Sequence, residues 1–145
     1  MNRSARCYRF GGGVSSEEKR REVREGHPGL LVQAVDSSAA SNERLVEMLA
    51  EQTLEAGIAG SPLARKPEVD LLMRLGGTSQ IARAIQKVGV KPGHDFLLVV
   101  AGDEDEILGL ESKEAAKWRR LQRRELDRED LRRIERAALL DAEKA

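Results

Sequence analysis

A chain of 145 residues and 16.0 kDa suffices for one domain whose core removes about two-thirds of the unfolded surface from water, and its length argues against two. The 25 basic and 25 acidic residues cancel, so net charge gives no general attraction to nucleic acid; the single cysteine, Cys7, excludes an intramolecular disulfide and a thiolate zinc site. No run approaches the roughly twenty apolar residues of a membrane span, and the first residues lack the apolar core of a signal peptide, so the chain reads as soluble and cytoplasmic. Charged residues at 34% against 3% aromatics favour a helix-rich, solvated surface and fit a thermophilic source.

In chain order, Arg6-Cys7-Tyr8-Arg9-Phe10 alternates polar and apolar and predicts an edge-like strand ended by Gly11-Gly12-Gly13. Those glycines lack the spacing of a dinucleotide fingerprint and the Gly-Lys-Ser/Thr ending of a P-loop, so they make a turn. A charged segment, 15–25, precedes Leu30-Leu31-Val32-Gln33-Ala34-Val35, a buried strand. A helix then starts near Ser41 or Asn42 and runs through Leu45, Val46, Leu49, Ala50 and Leu54 to Gly57. Pro67, Leu71, Leu72 and Leu75 predict a short helix stopped by Gly76-Gly77. The continuous apolar run 95–101 predicts a central strand with both faces covered. The acids Asp103-Glu104-Asp105-Glu106 read as a solvated hairpin tip, and two charged helices, 113–124 and 128–143, complete the chain. The class is α/β: a single two-layer domain with a small mixed or antiparallel sheet and several packed helices.

The segment 74–91 is the densest in signals. Ile81, Ala84, Ile85 and Val88 fall at i, i+3, i+4 and i+7 and predict a packed stripe, while Gln80, Arg83 and Lys87 share another face. Thr78 is the expected N-cap and Gly89 the expected left-handed stop. Six basic residues stand against Glu68 and Asp70 between Arg65 and Lys91, so a locally basic helical pair sits in a neutral molecule. A helix, a glycine turn and a second helix N-terminus together can receive a phosphate or carboxylate.

The run from Pro67 to Gly89, with Arg74-Leu75-Gly76-Gly77-Thr78-Ser79-Gln80-Ile81, then Ala84-Ile85 and Val88-Gly89-Val90-Lys91, resembles the signature of the small KEOPS subunit, the family of the PRPK-binding protein. Ser79 stands where that family commonly has arginine. The resemblance implies a non-catalytic subunit of the complex that installs threonylcarbamoyl on the adenosine beside the anticodon of certain tRNAs. It implies two partners, the complex's kinase/ATPase subunit and the 3′ CCA end of tRNA, and no cofactor. On that reading Arg74, Gly76, Gly77, Thr78, Gln80, Arg83 and Lys87 meet RNA: arginines stack, Gln80 reads a base edge, and the glycines let a nucleotide approach the backbone. Leu131, Ile134, Ala138 and Leu139 form the stripe by which the last helix meets the kinase subunit or the core.

Catalytic chemistry is poorly represented. His27 and His94 sit in Pro/Gly turns without a metal-pair spacing, Cys7 falls in a strand pattern as a small hydrophobe, and the acid run lacks the glycine and ligand spacing of a calcium loop. Trp118, amid Lys and Arg, reads as a packing residue on an amphipathic helix or as a base-stacking platform. No metal or catalytic residue is therefore assigned. The competing class is a stand-alone helical protein–protein interaction module without RNA binding.

Overall fold

A computed structural model describes residues 2–144. The central strand is β3 (Phe96–Asp103), which pairs antiparallel with β1 (Arg3–Phe10) on one side and β2 (Leu31–Asp36) on the other, placing Cys7 and Gln33 both opposite Val99. A short strand, β4 (Arg119–Arg120), pairs with β1 at Tyr8 and Arg9, so the sheet order is β2-β3-β1-β4. Of the mixed and antiparallel alternatives the sheet is antiparallel, within one compact α/β domain. The expectation for β1 as an edge changes: β4 and the Leu121 amide, which donates to the Cys7 carbonyl at 2.8 Å, cover it.

Strand alternation sorts the apolar residues into two cores. Ala5, Cys7, Leu31, Val35, Leu97, Val99 and Ala101 face α2 (Glu43–Ala59), α3 (Pro67–Gly76), α4 (Ile81–Val88) and α6 (Arg128–Lys144), the main helical layer. Tyr8, Val32, Phe96, Leu98 and Val100 face α1 (Ser16–Gly26) and α5 (Glu104–Lys113), so the opposite face of the sheet carries two further helices. Covering both faces explains the unbroken apolar run of β3.

Several local expectations are corrected. The charged segment 15–25 is helix α1: Ser15 caps it by accepting from the Glu18 amide at 3.2 Å, and only Val23 is buried, so apolar periodicity could not reveal it. Asp103 to Glu106 is no hairpin tip; the acids open α5, where they complement the positive end of the helix dipole. The helix expected over 113–124 does not form: α5 ends at Lys113, and the chain turns into β4. Two tertiary contacts outcompete helix propensity there. Trp118 packs edge-on against Tyr8 and Phe10, with centroids 5.3 and 5.2 Å away. Arg120 binds Glu43, a buried carboxylate that also accepts from the Cys7 amide at 3.0 Å. Trp118 is thus a packing residue, though not on a helix. Cys7 is fully buried, and burial, then the Glu43 charge, pushes its thiol pKa up, which fits a structural role. Helix α2 is capped by Asn42 as expected and runs past Gly57 to Ala59, where Gly60 adopts a left-handed φ of 75°.

Candidate nucleic-acid interface

The glycine turn forms by a mechanism legible in its residues. Gly77 has φ 65°, and its amide donates to the Arg74 carbonyl at 3.3 Å while Thr78 donates to that of Met73 at 3.1 Å, closing α3. Gly76 serves close approach: a Cβ there would lie 3.2 Å from the Ala84 Cα. Helix α4 therefore docks on α3 through Ala84 and Val88, which are buried, and this keeps only half of the expected stripe. Ile81 and Ile85 are 47% and 52% exposed, because the closeness of the two backbones leaves the larger side chains outside the contact. Thr78 is buried and is not the N-cap; Gln80 occupies that position, its amide donating to Thr78 Oγ1 at 3.2 Å. Gly89 does not stop α4 in the left-handed region: its φ is −65°, and glycine fits because a Cβ would fall 2.5 Å from the Ile85 carbonyl oxygen.

Gln80, Arg83 and Lys87 are exposed, as their shared face predicts. Arg74 is not. Its side chain is wholly buried, with Nε donating to Asp70 at 2.7 Å and both Nη atoms reaching Asp141 of α6 at 2.9 and 2.8 Å. Although desolvation works against its charge, the hydrogen bonds it donates to Asp141 and Asp70 raise its pKa, so this guanidinium stays charged, is balanced inside the protein and cannot stack on RNA.

The cation missing from the turn comes instead from α6. Arg133 Nη2 donates to the carbonyls of Ala39 at 2.8 Å and Leu75 at 2.9 Å, Arg136 Nε to Gly77 at 3.1 Å, and Lys87 Nζ to Gly76 at 3.4 Å. Successive carbonyls at the negative end of α3 thus recruit cations from two other helices. With Arg132, Glu129 and the glycines, these side chains line a groove of about 380 Å³. Arg133 is half-buried, and desolvation lowers its pKa against partial compensation by Asp130 and Glu129; among the described residues it donates to no carboxylate, which leaves donors for an anion. Arg83 lies on the same face as Lys87 but outside the groove wall. The arrangement can hold phosphate by several cations at a concave surface with exposed backbone.

An adjacent cavity of about 270 Å³ shares Arg133 and Glu129 with the groove and adds Ser37, Ser38, Ser41, Arg124 and Asp127. Asp127 and Asp130 cap the start of α6 reciprocally, each accepting from the other's amide, at 2.8 and 3.1 Å. The Asp130 amide, chiefly, holds the Asp127 carboxyl below the usual range.

Helix α6 divides the expected partner stripe. Ile134 is half-buried against the main core and its carbonyl accepts from Gln52 at 3.3 Å, whereas Leu131 and Leu139 are 52% and 54% exposed and Ala138 is exposed too. The buried stripe runs through Asp130, Ile134, Ala137 and Leu140, because it is the small Ala137 that faces α3 and α2. Reading the sequence missed Arg132, Arg133 and Arg136 as groove residues. Their spacing was visible, but a face dense in arginine and glutamate is indistinguishable from a solvated one until its neighbour is known.

Among the described residues no group of three or more His, Cys, Asp or Glu is placed to hold a metal ion, and no helix is long and apolar enough to cross a membrane. Compared with known proteins, the chain matches no family model and no curated protein.

Proposed function

We propose that this chain is a non-catalytic subunit of the KEOPS complex that binds the 3′ CCA end of tRNA at the groove between the α3–α4 turn and α6. Its second partner is the complex's kinase/ATPase subunit, met by the outer face of α6 at Leu131, Ala138 and Leu139. The observation that carries the reading is the groove: the Gly76-Gly77 turn of the signature segment opens on Lys87, Arg132, Arg133 and Arg136, with a single acid, Glu129, in its wall. Single-stranded RNA ends are held by cations that track phosphates and by groups that reach exposed base edges, and Gln80 and Arg83 are exposed at the start of α4, the helix that carries Lys87.

The test compares tRNA with and without its CCA end. Wild-type protein binds intact tRNA more tightly, and Arg83→Glu with Lys87→Glu weakens that binding while leaving the melting temperature near wild type, since both residues are exposed. Losing two phosphate contacts flattens the logarithmic salt dependence by about 1.4 units. Equal binding of trimmed and intact tRNA sinks the end-reading, and absence of any tRNA binding leaves the protein-interaction module.

A further inference from the structure

The cations of the groove are not alike. Arg133, Lys87 and Arg136 are each tied to a backbone carbonyl at the end of α3, of Leu75, Gly76 and Gly77 in turn, and Arg136 also donates to Glu143 at 2.7 Å. Those ties fix where three positive charges sit, which suits a row of phosphates. Arg132 lines the same groove and is exposed, yet among the described residues it makes no hydrogen bond or ion pair. Its guanidinium is free to turn.

Single-stranded RNA needs a plane for its bases as well as cations for its phosphates. The aromatic residues of the chain are Tyr8, Phe10, Phe96 and Trp118, and they pack on one another at the second core, on the face of the sheet away from α3, α4 and α6. No ring lines the groove. A guanidinium plane can stack on a base in place of a ring, whereas an ammonium of the same charge cannot. Arg74 is excluded from that part by burial, and Arg83 lies outside the groove wall. Arg133 and Arg136 are clamped, so their planes cannot follow a base without giving up the carbonyls that hold them. We propose that Arg132 is the base-stacking residue of this site, its guanidinium lying over one unpaired base of the RNA end while Lys87, Arg133 and Arg136 hold the neighbouring phosphates. This rests on the RNA reading above, and it adds a residue that meets a base rather than the charge of the backbone.

The experiment measures binding by fluorescence anisotropy to one tRNA prepared with its CCA end intact, with that end removed, and with the base of each CCA nucleotide deleted in turn to leave an abasic ribose. Wild-type protein loses about tenfold in affinity at one abasic position, the size of a single stacking contact. Arg132→Gln loses about as much on the intact end and nothing further at that position. At the other positions its losses match those of wild type. Arg132→Lys behaves like Arg132→Gln, because it keeps the charge without the plane, and Arg132→Tyr recovers binding to the intact end. All three variants melt at the wild-type temperature by circular dichroism, since the side chain has no partner to lose. If Arg132→Lys binds as wild type does, Arg132 is a point charge and the stacking assignment is overturned. Losses that simply multiply at every abasic position overturn it too, while the RNA reading stands. Trimmed tRNA bound as tightly as intact overturns both.

Discussion

Replacing Arg74 by methionine separates a structural arginine from an RNA-binding one. The guanidinium is wholly buried between Asp70, on its own helix, and Asp141 of α6. Methionine fills comparable space without charge, so the loss comes from broken hydrogen bonds and from Asp70, which stays buried. Removing one partner of a buried pair costs about 3–5 kcal/mol. Asp70 retains two other donors, Thr53 Oγ1 at 2.6 Å and the Leu63 amide at 2.8 Å, and Asp141 is 45% exposed and regains water, so the lower end, about 3 kcal/mol, applies. For a chain of this size that lowers the melting temperature by about 6–12 °C. Thermal unfolding followed by circular dichroism measures it. Adding Asp70→Asn recovers part of the loss, because no uncompensated charge remains. At a temperature where the variant is folded, tRNA affinity stays at the wild-type value. A variant that melts within about 2 °C of wild type yet loses tRNA binding would refute the burial and return Arg74 to the RNA surface.

Two further outcomes follow from burial and charge. Leu131→Asp with Leu139→Asp, both at half-exposed positions, leaves the melting temperature close to wild type but abolishes co-purification with the kinase subunit, whereas Ile134→Asp lowers the melting temperature through the core; retained capture by the folded Leu131/Leu139 variant rules out the outer face of α6. Asp36 is buried, and although desolvation alone would raise its pKa, hydrogen bonds from Ser38 and then Lys91 bring it below the ordinary value. A depressed folded pKa contributes stability that is fully present above the unfolded value, near pH 4, and is lost as pH falls through the folded value. The stability gap between wild type and Asp36→Asn therefore narrows on acidification in melts below about pH 4, and a gap constant across that range contradicts the assignment.

The elements that a sequence reader could place are those whose signals are local. The run 95–101 became β3 because an unbroken apolar stretch has little choice but a strand covered on both faces, and α3 is framed by Pro67 at its start and Gly77 at its end. Failures occurred where a distant contact decided. Nothing within 113–124 says that Trp118 will rest on Tyr8 and Phe10, or that Arg120 will reach back to Glu43, and those contacts convert a charged helical pattern into β4. Helix α1 was hidden for the opposite reason: with Val23 its only buried residue, it has a cap but no stripe.

At the candidate site the difficulty was to say which arginine is free. Asp70 and Arg74 stand four apart, and so do Glu129 and Arg133; as sequence the pairs look alike, and each should form a weak helical ion pair. In the fold the first pair is buried and closed by Asp141, so its charge is spent internally. The second closes no hydrogen bond among the described residues, because Arg133 turns to the carbonyls of Ala39 and Leu75 and meets Glu129 only through its charge. Carbonyls carry only partial negative charge, so they orient the guanidinium without neutralising it, whereas carboxylates do both. Availability for an anion is thus set by what accepts the hydrogen bonds: Arg74 meets carboxylates and becomes structure, and Arg133 meets carbonyls and keeps its charge at the wall of a groove. That difference depends on α6 folding back onto the end of α3, a contact between segments far apart in the chain, and it moves the basic character of the site from the signature segment to the helix that closes over it.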